Sequence, residues 1–454
     1  MDAKARSEPA VRRWLARAAS LHLRHPGSAI LARAPGRLDV MGGIADYSGS
    51  TVLEGTLERA AWAAIEPRDD DQLVAVSVQA AAEDWADTVS WARGDLLSAP
   101  YDQLRDAFAQ DRRTHWAAYV LGAWAVLARE GVLTRGGSGA TLALVSDVPI
   151  GAGVSSSAAI EVASMAAIDR MLGLGLTGIE LARLCQIVEN RIAGAPCGIM
   201  DQVTSALGER GALLALRCQP HDVLGNRVLP DGWSVYGISS AVRHVVGGGR
   251  YTRTRVAAFM GLEVIAHEAG VRPEGNYLCR FTPAQYSAQF RHLLPSKLLG
   301  EEFSARYGGT ADPVTKVRPG VRYSVRGCTE HPIYENHRVE QFMDLMADGS
   351  RRAVEKAGAL MYGSHWSYGH RAGLGCAETD LIVRLVRERG PERGLMGAKI
   401  TGGGSGGTVA VLTYGDARQA VNEVAAEYAR LTGHRPQIFA GSSPGAIAWL
   451  AGRR

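Results

Sequence analysis

Glycine is unevenly spread along this chain, and its placement narrows the possible folds more than any other feature. Of 454 residues, 54 are glycine, against a usual share of about 7%. They gather into three clusters near the start, middle and end, without any low-complexity run. Glycines grouped in this way mark backbone that turns tightly or closely approaches another group. The middle cluster, Pro149-Ile-Gly-Ala-Gly-Val-Ser-Ser-Ser-Ala-Ala159, follows a strand-like ATLALV run (Ala140–Val145) and precedes a run of good helix formers (Ser156–Leu172). A turn between strand and helix exposes several N–H groups at a positive helix end, which is an anion site. Gly151 and Gly153 permit close approach, and the Ser155, Ser156 and Ser157 hydroxyls can donate to phosphate or bind magnesium. No GxxxxGK[ST] is present, and no HRD or DFG element accompanies the loop, so it is neither a Walker P-loop nor part of a protein-kinase lobe.

The first cluster, Ala34 to Ser50, sets Arg37 and Asp46 in a Gly/Pro-framed stretch bordered by apolar residues. An arginine there can stabilise transferred phosphate, and an aspartate can grip hydroxyl groups. The third, Gly397 to Thr408, runs directly into an alternating strand (Thr408–Thr413), so its glycines belong to a packed or functional turn and not to a linker. A second helix is expected from the Thr177/Glu180 capping box toward Ala193, and a late helix over Asp416–Leu431. Mixed strands and helices in this order predict an α+β architecture instead of a βαβ repeat.

Length predicts two lobes, placed at 1–215 and 216–454, with a site between them. A net charge of only +4, with scattered basic residues and short pairs at Arg351/Arg352 and Arg453/Arg454, argues against a nucleic-acid stripe. No apolar run of membrane-spanning length occurs, and Met1 to Pro26 reads as an amphipathic helix without a secretory h-region. A cytoplasmic protein with six reduced cysteines, no membrane attachment and no obligate protein partner is expected. The cysteines have no metal-site spacing.

Together the three clusters resemble the GHMP kinase superfamily from about Leu31 to Leu412. Within it, Pro196-Cys-Gly-Ile-Met-Asp-Gln202 resembles the sugar-site signature of the galactokinase branch, and Trp116, Tyr119 and Gly122 fit the segment before its phosphate loop. A closer likeness is to the kinase portion of plant L-arabinokinases. It is carried by Met41-Gly-Gly-Ile-Ala-Asp-Tyr-Ser-Gly49, Arg243-His-Val-Val-Gly-Gly248, His331-Pro-Ile-Tyr-Glu-Asn336 and Thr401-Gly-Gly-Gly-Ser-Gly-Gly407. Those plant proteins carry a long N-terminal extension that this sequence lacks, so nothing of its role carries over.

The resemblance implies a two-lobed fold with the active site between an N-terminal and a C-terminal domain, ATP as co-substrate, a small sugar as acceptor, and Mg²⁺. It implies Arg37 and Asp201 as catalytic residues, and Asp46, Gly198 and Tyr251 on the sugar. Trp116, Gly151, Gly153, Ser155, Ser156, Ser157, Gly403 and Gly404 would lie on ATP. Ser156 or Ser157, with Glu189, would bind the metal. Galactokinases usually carry Glu-His where this chain has Gly43 and Ile44, facing the hydroxymethyl end of the hexose. L-Arabinopyranose matches D-galactopyranose at the first four carbons and has hydrogen in place of the C6 group, so the substitution points to a pentose 1-kinase. A kinase for galactose, an amino sugar or a uronic acid stays open, as does a sugar and ATP sensor without catalysis. The His244, His331 and His365 side chains read as structural, Tyr334 and Trp366 as packing, and the 281–326 stretch as an insertion without an assigned role.

Overall fold

The computed structural model describes residues 23–25, 28–77, 79–133, 137–242 and 249–452. The Arg243–Gly248 segment with His244, nearly all of the expected first helix, and Arg453 and Arg454 lie outside the described residues.

The N-terminal part is built on a seven-stranded sheet of β1 (Ile30–Met41), β2 (Thr51–Pro67), β3 (Gln72–Ser77), β4 (Thr88–Ala92), β5 (Ala140–Ser146), β6 (Ala212–Arg217) and β7 (Asp222–Val228). Only β3 and β5 pair in parallel; the other pairings are antiparallel. The long β2 pairs with β1, with β6 near its start and with β5 near its end. Helices Ala118–Arg129, Ser156–Leu172 and Met200–Leu207 contribute their apolar faces to the core beside this sheet. The expected helix after Thr177 begins with the capping box and runs as Gly178–Ile187, continuing into a π turn at Val188–Ala193.

A four-stranded antiparallel sheet follows, of β8 (Trp233–Ser239), then, after the two-residue strands β9 (Leu298–Leu299) and β10 (Arg322–Tyr323), β11 (Leu395–Ile400), β12 (Thr408–Tyr414) and β13 (Ile438–Phe439), in the order β11-β12-β8-β13. Helices Ala377–Arg389 and Arg418–Thr432 pack apolar residues against it. This is the expected α+β arrangement, helices against mainly antiparallel sheets. The 215/216 division falls inside β6, and β7 prolongs the first sheet to Val228. We therefore propose the lobe boundary between β7 and β8.

The two parts share apolar packing. Val40, Met41 and Leu53 of the first sheet cluster with Phe342, Val354, Met361 and Leu412 of the second part. A mixed core of this kind resists rigid separation, because opening it would expose close-packed apolar surface to water. The 281–326 stretch is no open loop: Phe281, Tyr286, Phe290, Leu294 and Phe303 are buried against the helix Arg250–Ala269. Among the described residues, no helix is long and apolar enough to cross a membrane.

Candidate active site

A buried ion pair sits at the centre of the site. Strand β1 is irregular between Pro35 and Arg37 and again between Asp39 and Met41, and such bulges re-aim side chains. Arg37 donates from Nε to Asp201 Oδ1 and from Nη2 to Asp201 Oδ2, both at 2.9 Å, while Nη1 donates to the Gly153 carbonyl at 2.8 Å. This two-pronged geometry is the strongest that a guanidinium makes with a carboxylate. Asp201 occupies the first turn of its helix, where the positive end favours a carboxylate, and it also accepts the Ser155 hydroxyl at 2.6 Å. Ser155 is left-handed, with φ 59°. This rare backbone state for a serine turns the chain into the helix and aims the hydroxyl at Asp201.

A second layer of charge backs the pair. Glu54 of β2, fully buried, lies 3.3 Å from Arg37 Nε. Burial opposes the charge on Arg37, but Asp201, Glu54 and Asp39 together hold its guanidinium above its ordinary value. Asp39 Oδ2 in turn takes Lys399 Nζ at 2.8 Å and the Tyr368 hydroxyl at 2.9 Å, all fully buried, and the Asp39 N–H donates to Thr401 Oγ1 at 2.7 Å. The third glycine cluster is thus tied to β1 through its own Lys399 and Thr401. It also holds the phosphate loop: Thr408 Oγ1 donates to the Ala152 carbonyl at 2.7 Å.

Two cavities meet here. The smaller, about 120 Å³, is lined by Arg37, Asp201, Ile44, Asp46, Gly198 and Tyr251 together with Gly402 and Gly403. Ile44 is left-handed at φ 60°, an outlier for a β-branched residue; it borders the cavity while its side chain is buried in an apolar cluster with Tyr47 and Phe259. Gly198 is required sterically, since a Cβ there would strike the Asp46 carboxylate. The larger cavity, about 760 Å³, is bordered by Trp85, His115, Trp116, Tyr119, Arg112 and Arg435 and reaches the phosphate loop. Four residues line both cavities: Gly151, Ser156, Ser157 and Glu189. Glu189 sits in the π turn, an irregularity common at functional positions.

The donors at this shared wall fit a magnesium ion. Glu189 accepts from the Cys197 thiol at 3.3 Å and from the Gln202 amide at 2.6 Å, and Ser157 borders the same wall. Burial, reinforced by Asp201, pushes its carboxyl up to about 7, so an incoming cation meets a site short of positive charge. Glu161 lies behind it, joined through Gln202 at 3.2 Å, and burial with the neighbouring Glu189 holds its carboxyl well above the usual range. One carboxylate plus hydroxyls is a sufficient protein share for an ion whose other ligands are phosphate oxygens and water. Among the described residues, no cluster of three or more His, Cys, Asp or Glu side chains offers an all-protein cage.

Residues 118–209 match the family of GHMP kinases N terminal domain, residues 344–430 that of GHMP kinases C terminal, and residues 21–67 the galactokinase galactose-binding signature. An L-arabinokinase of Arabidopsis thaliana is 40% identical over 92% of this chain, and a galactokinase of Chloroflexus aggregans is 32% identical over 90% of each chain. The chain belongs to the GHMP kinases, on their galactokinase branch. It spans about half of the Arabidopsis protein, 46% of its length. In fold, the Lactococcus lactis galactokinase complexed with galactose is similar at a TM-score of 0.75 and 18% identity, covering 96% of this chain and 98% of that one. The Methanococcus jannaschii mevalonate kinase gives 0.55 at 15% identity, over 92% and 99%.

In this galactokinase-branch kinase, most of the residues singled out by sequence converge on the two cavities. Gly43 and Gly404 line neither. A Cβ on Gly43 would collide with Asp39 Oδ2 and the Tyr368 hydroxyl, and one on Gly404 would meet Leu374, so each glycine makes room for packing. Gly403 lines the smaller cavity and not the larger, away from where the nucleotide was expected. His331 is fully buried between the Ser367 hydroxyl at 2.9 Å and the Gly43 carbonyl at 3.0 Å, and burial lowers its ring to about 4, in keeping with a structural role. Sequence reasoning missed Asp39, Glu54, Glu161, Lys399 and Arg255, whose partners are remote in the chain. Arg255 alone had a local signal, standing one helical turn beyond Tyr251.

Burial pushes the Asp46 carboxyl up to about 6, and Asp201 and Asp39 add to this while Arg255 pulls it down. An ionised Asp46 accepts two or more hydroxyl protons and a neutral one fewer. At saturating nucleotide, kcat/KM for the acceptor is therefore expected to fall as pH drops through about 6, reporting the acceptor-free enzyme. Asp46→Asn should lower kcat/KM and flatten that limb; an unchanged limb would assign it to another group.

Proposed function

We propose that this chain is an ATP-dependent sugar 1-kinase whose preferred acceptor is L-arabinose, forming L-arabinose 1-phosphate and ADP. The observation that carries this reading is the shared wall of Ser156, Ser157 and Glu189, which separates a nucleotide-sized cavity from a small one containing the Arg37–Asp201 pair. ATP in the larger cavity would bring its γ-phosphoryl to that wall, with the helix Ser156–Leu172 directing its positive end toward the phosphates. The anomeric hydroxyl of a sugar in the smaller cavity would attack the γ-phosphorus, and the bond to the bridging β–γ oxygen would break. Asp201 orients that hydroxyl and accepts its proton, or passes it to solvent, while Arg37 offsets charge on the transferring group. A magnesium ion held by Glu189 with Ser156 or Ser157 would supply charge neutralisation on the phosphates. Catalysis here is positioning and electrostatics, as for phosphoryl transfer in general.

Support for a pentose comes from residue 44. It is the member of the Gly43–Ile44 pair that borders the small cavity, and its side chain carries no group that could hydrogen-bond a C6 hydroxyl. An apolar wall rejects an added hydroxyl by only about 10², so D-galactose is expected to be a slow substrate and not an inert one. The 40% identical Arabidopsis L-arabinokinase favours the same acceptor. The test is ADP release from ATP·Mg²⁺ with L-arabinose, D-galactose, D-glucuronate and N-acetylgalactosamine. Arabinose should lead galactose by about 10² in kcat/KM. Equal or faster turnover of galactose would sink the pentose reading, and no turnover of any sugar would sink the kinase reading. As a companion arm, Gly43→Glu is not expected to confer galactose turnover, because Asp39 and Tyr368 occupy the space into which its side chain would grow.

A further inference from the structure

The helix Arg250–Ala269 presents Tyr251 to the small cavity, and one turn later it buries Arg255 at 6% exposure. An arginine in such a place needs a counter-charge, and the segment following the short helix Gly300–Tyr307 supplies it. Arg255 Nε and Nη2 donate to Asp312 Oδ2 and Oδ1, each at 2.8 Å. The Asp312 carboxylate is fixed further by the Thr315 hydroxyl and by the Val314 N–H at 3.1 Å. The guanidinium lies over the rings of Tyr47 at 5.5 Å and Phe259 at 5.9 Å, which hold its plane. Tyr47 in turn meets the Tyr251 ring edge-on at 6.2 Å, so the guanidinium, Tyr47 and Tyr251 pack as one unit. Two cavity-lining groups, Tyr251 through Tyr47 and Asp46 through its charge, therefore depend on one cation that does not itself line the cavity, and on a carboxylate from the stretch that the sequence left unexplained.

We infer that Arg255 and Asp312 are positioning residues for the acceptor: Asp312 locks the guanidinium, which holds Tyr251 in place through Tyr47 and sets a positive charge against Asp46. The titratable and charged groups around Asp46 are Arg37 and Asp39 from β1, the adjacent Tyr47, Asp201 from the helix Met200–Leu207, Arg255 and Tyr251 from the helix Arg250–Ala269, and the Cys218 and Cys279 thiols. Of the two cations, Arg255 is the one that acts most strongly on Asp46. Its influence is therefore readable in the acid limb of the acceptor kcat/KM, which a purely structural pair would leave in place.

This inference rests on the acceptor reading of the small cavity. The experiment is steady-state kinetics against L-arabinose and against ATP for the wild type, Asp312→Asn and the double variant Arg255→Gln/Asp312→Asn, each with a thermal melt. Both variants should raise the sugar KM by about tenfold, the worth of a displaced hydrogen bond, with the KM for ATP changed less than twofold. The acid limb should move in opposite directions. Asp312→Asn leaves the cation uncompensated and shifts the limb down, whereas the double variant removes the cation and shifts it up. If Asp312→Asn does not fold, Thr315→Val loosens the same carboxylate without removing charge and should raise the sugar KM by about threefold. Parallel rises in both KM values, or limbs that do not separate, would overturn the positioning role while leaving the kinase assignment standing. A wild type that turns over no sugar would overturn the acceptor reading, and this inference with it.

Discussion

Asp201→Ala is expected to lower kcat by about 10³-fold or more, combining loss of the group that orients the attacking hydroxyl with misplacement of the charge-stabilising arginine. The chain should stay folded. Arg37 would still lie 3.3 Å from Glu54 and keep its bond to the Gly153 carbonyl, so no buried cation is left alone. Arg37→Ala is not the mirror image of this change. It leaves Glu54 and Asp201 facing one another without their common cation, so its kinetic loss should come with a marked fall in melting temperature. Coupled ADP-release kinetics beside thermal melts separate the two. A kcat for Asp201→Ala within tenfold of wild type would remove Asp201 from the reaction, and an equal loss of stability in both variants would contradict the charge arrangement behind Arg37.

Lys399→Met is expected to cost about 3–5 kcal/mol of stability, the usual penalty for stranding one member of a buried ion pair. Lys399 and Asp39 are both fully buried at 2.8 Å, and the other contact on that carboxylate oxygen is the Tyr368 hydroxyl, a neutral donor. Adding Asp39→Asn to Lys399→Met should recover part of the loss, because it removes the stranded charge while keeping an acceptor for Tyr368. Denaturant unfolding of the two variants decides the matter. A loss below about 1 kcal/mol for Lys399→Met would mean that solvent reaches this layer after all.

Much of the site was visible in the sequence because its parts are local. The phosphate loop combines a strand, two glycines and three serines before a helix, and the Thr177–Glu180 capping box writes its own helix start; short-range sterics and hydrogen bonds settle both wherever the segment lies in the fold. Alternation and composition likewise foretold β5, β12 and the α+β class. The 281–326 stretch was unreadable for the opposite reason: its aromatic residues have no simple period and find their places only against the helix Arg250–Ala269.

What the sequence by itself determined was the set of chemical groups and the local frames that carry them, Arg37, Asp46, Ser155–Ser157, Glu189 and Asp201 among them. What only the tertiary structure decided was which charges face one another. Glu54 behind Arg37, Lys399 on Asp39 some 360 residues away in the chain, and Asp312 on Arg255 arise where separate elements meet. The role of Gly43 was decided there as well, by Asp39 and Tyr368 filling the space beside it. Coulomb energy and steric exclusion depend on distances through space, and those distances exist only after β1, β2, β11 and the helices around them have packed.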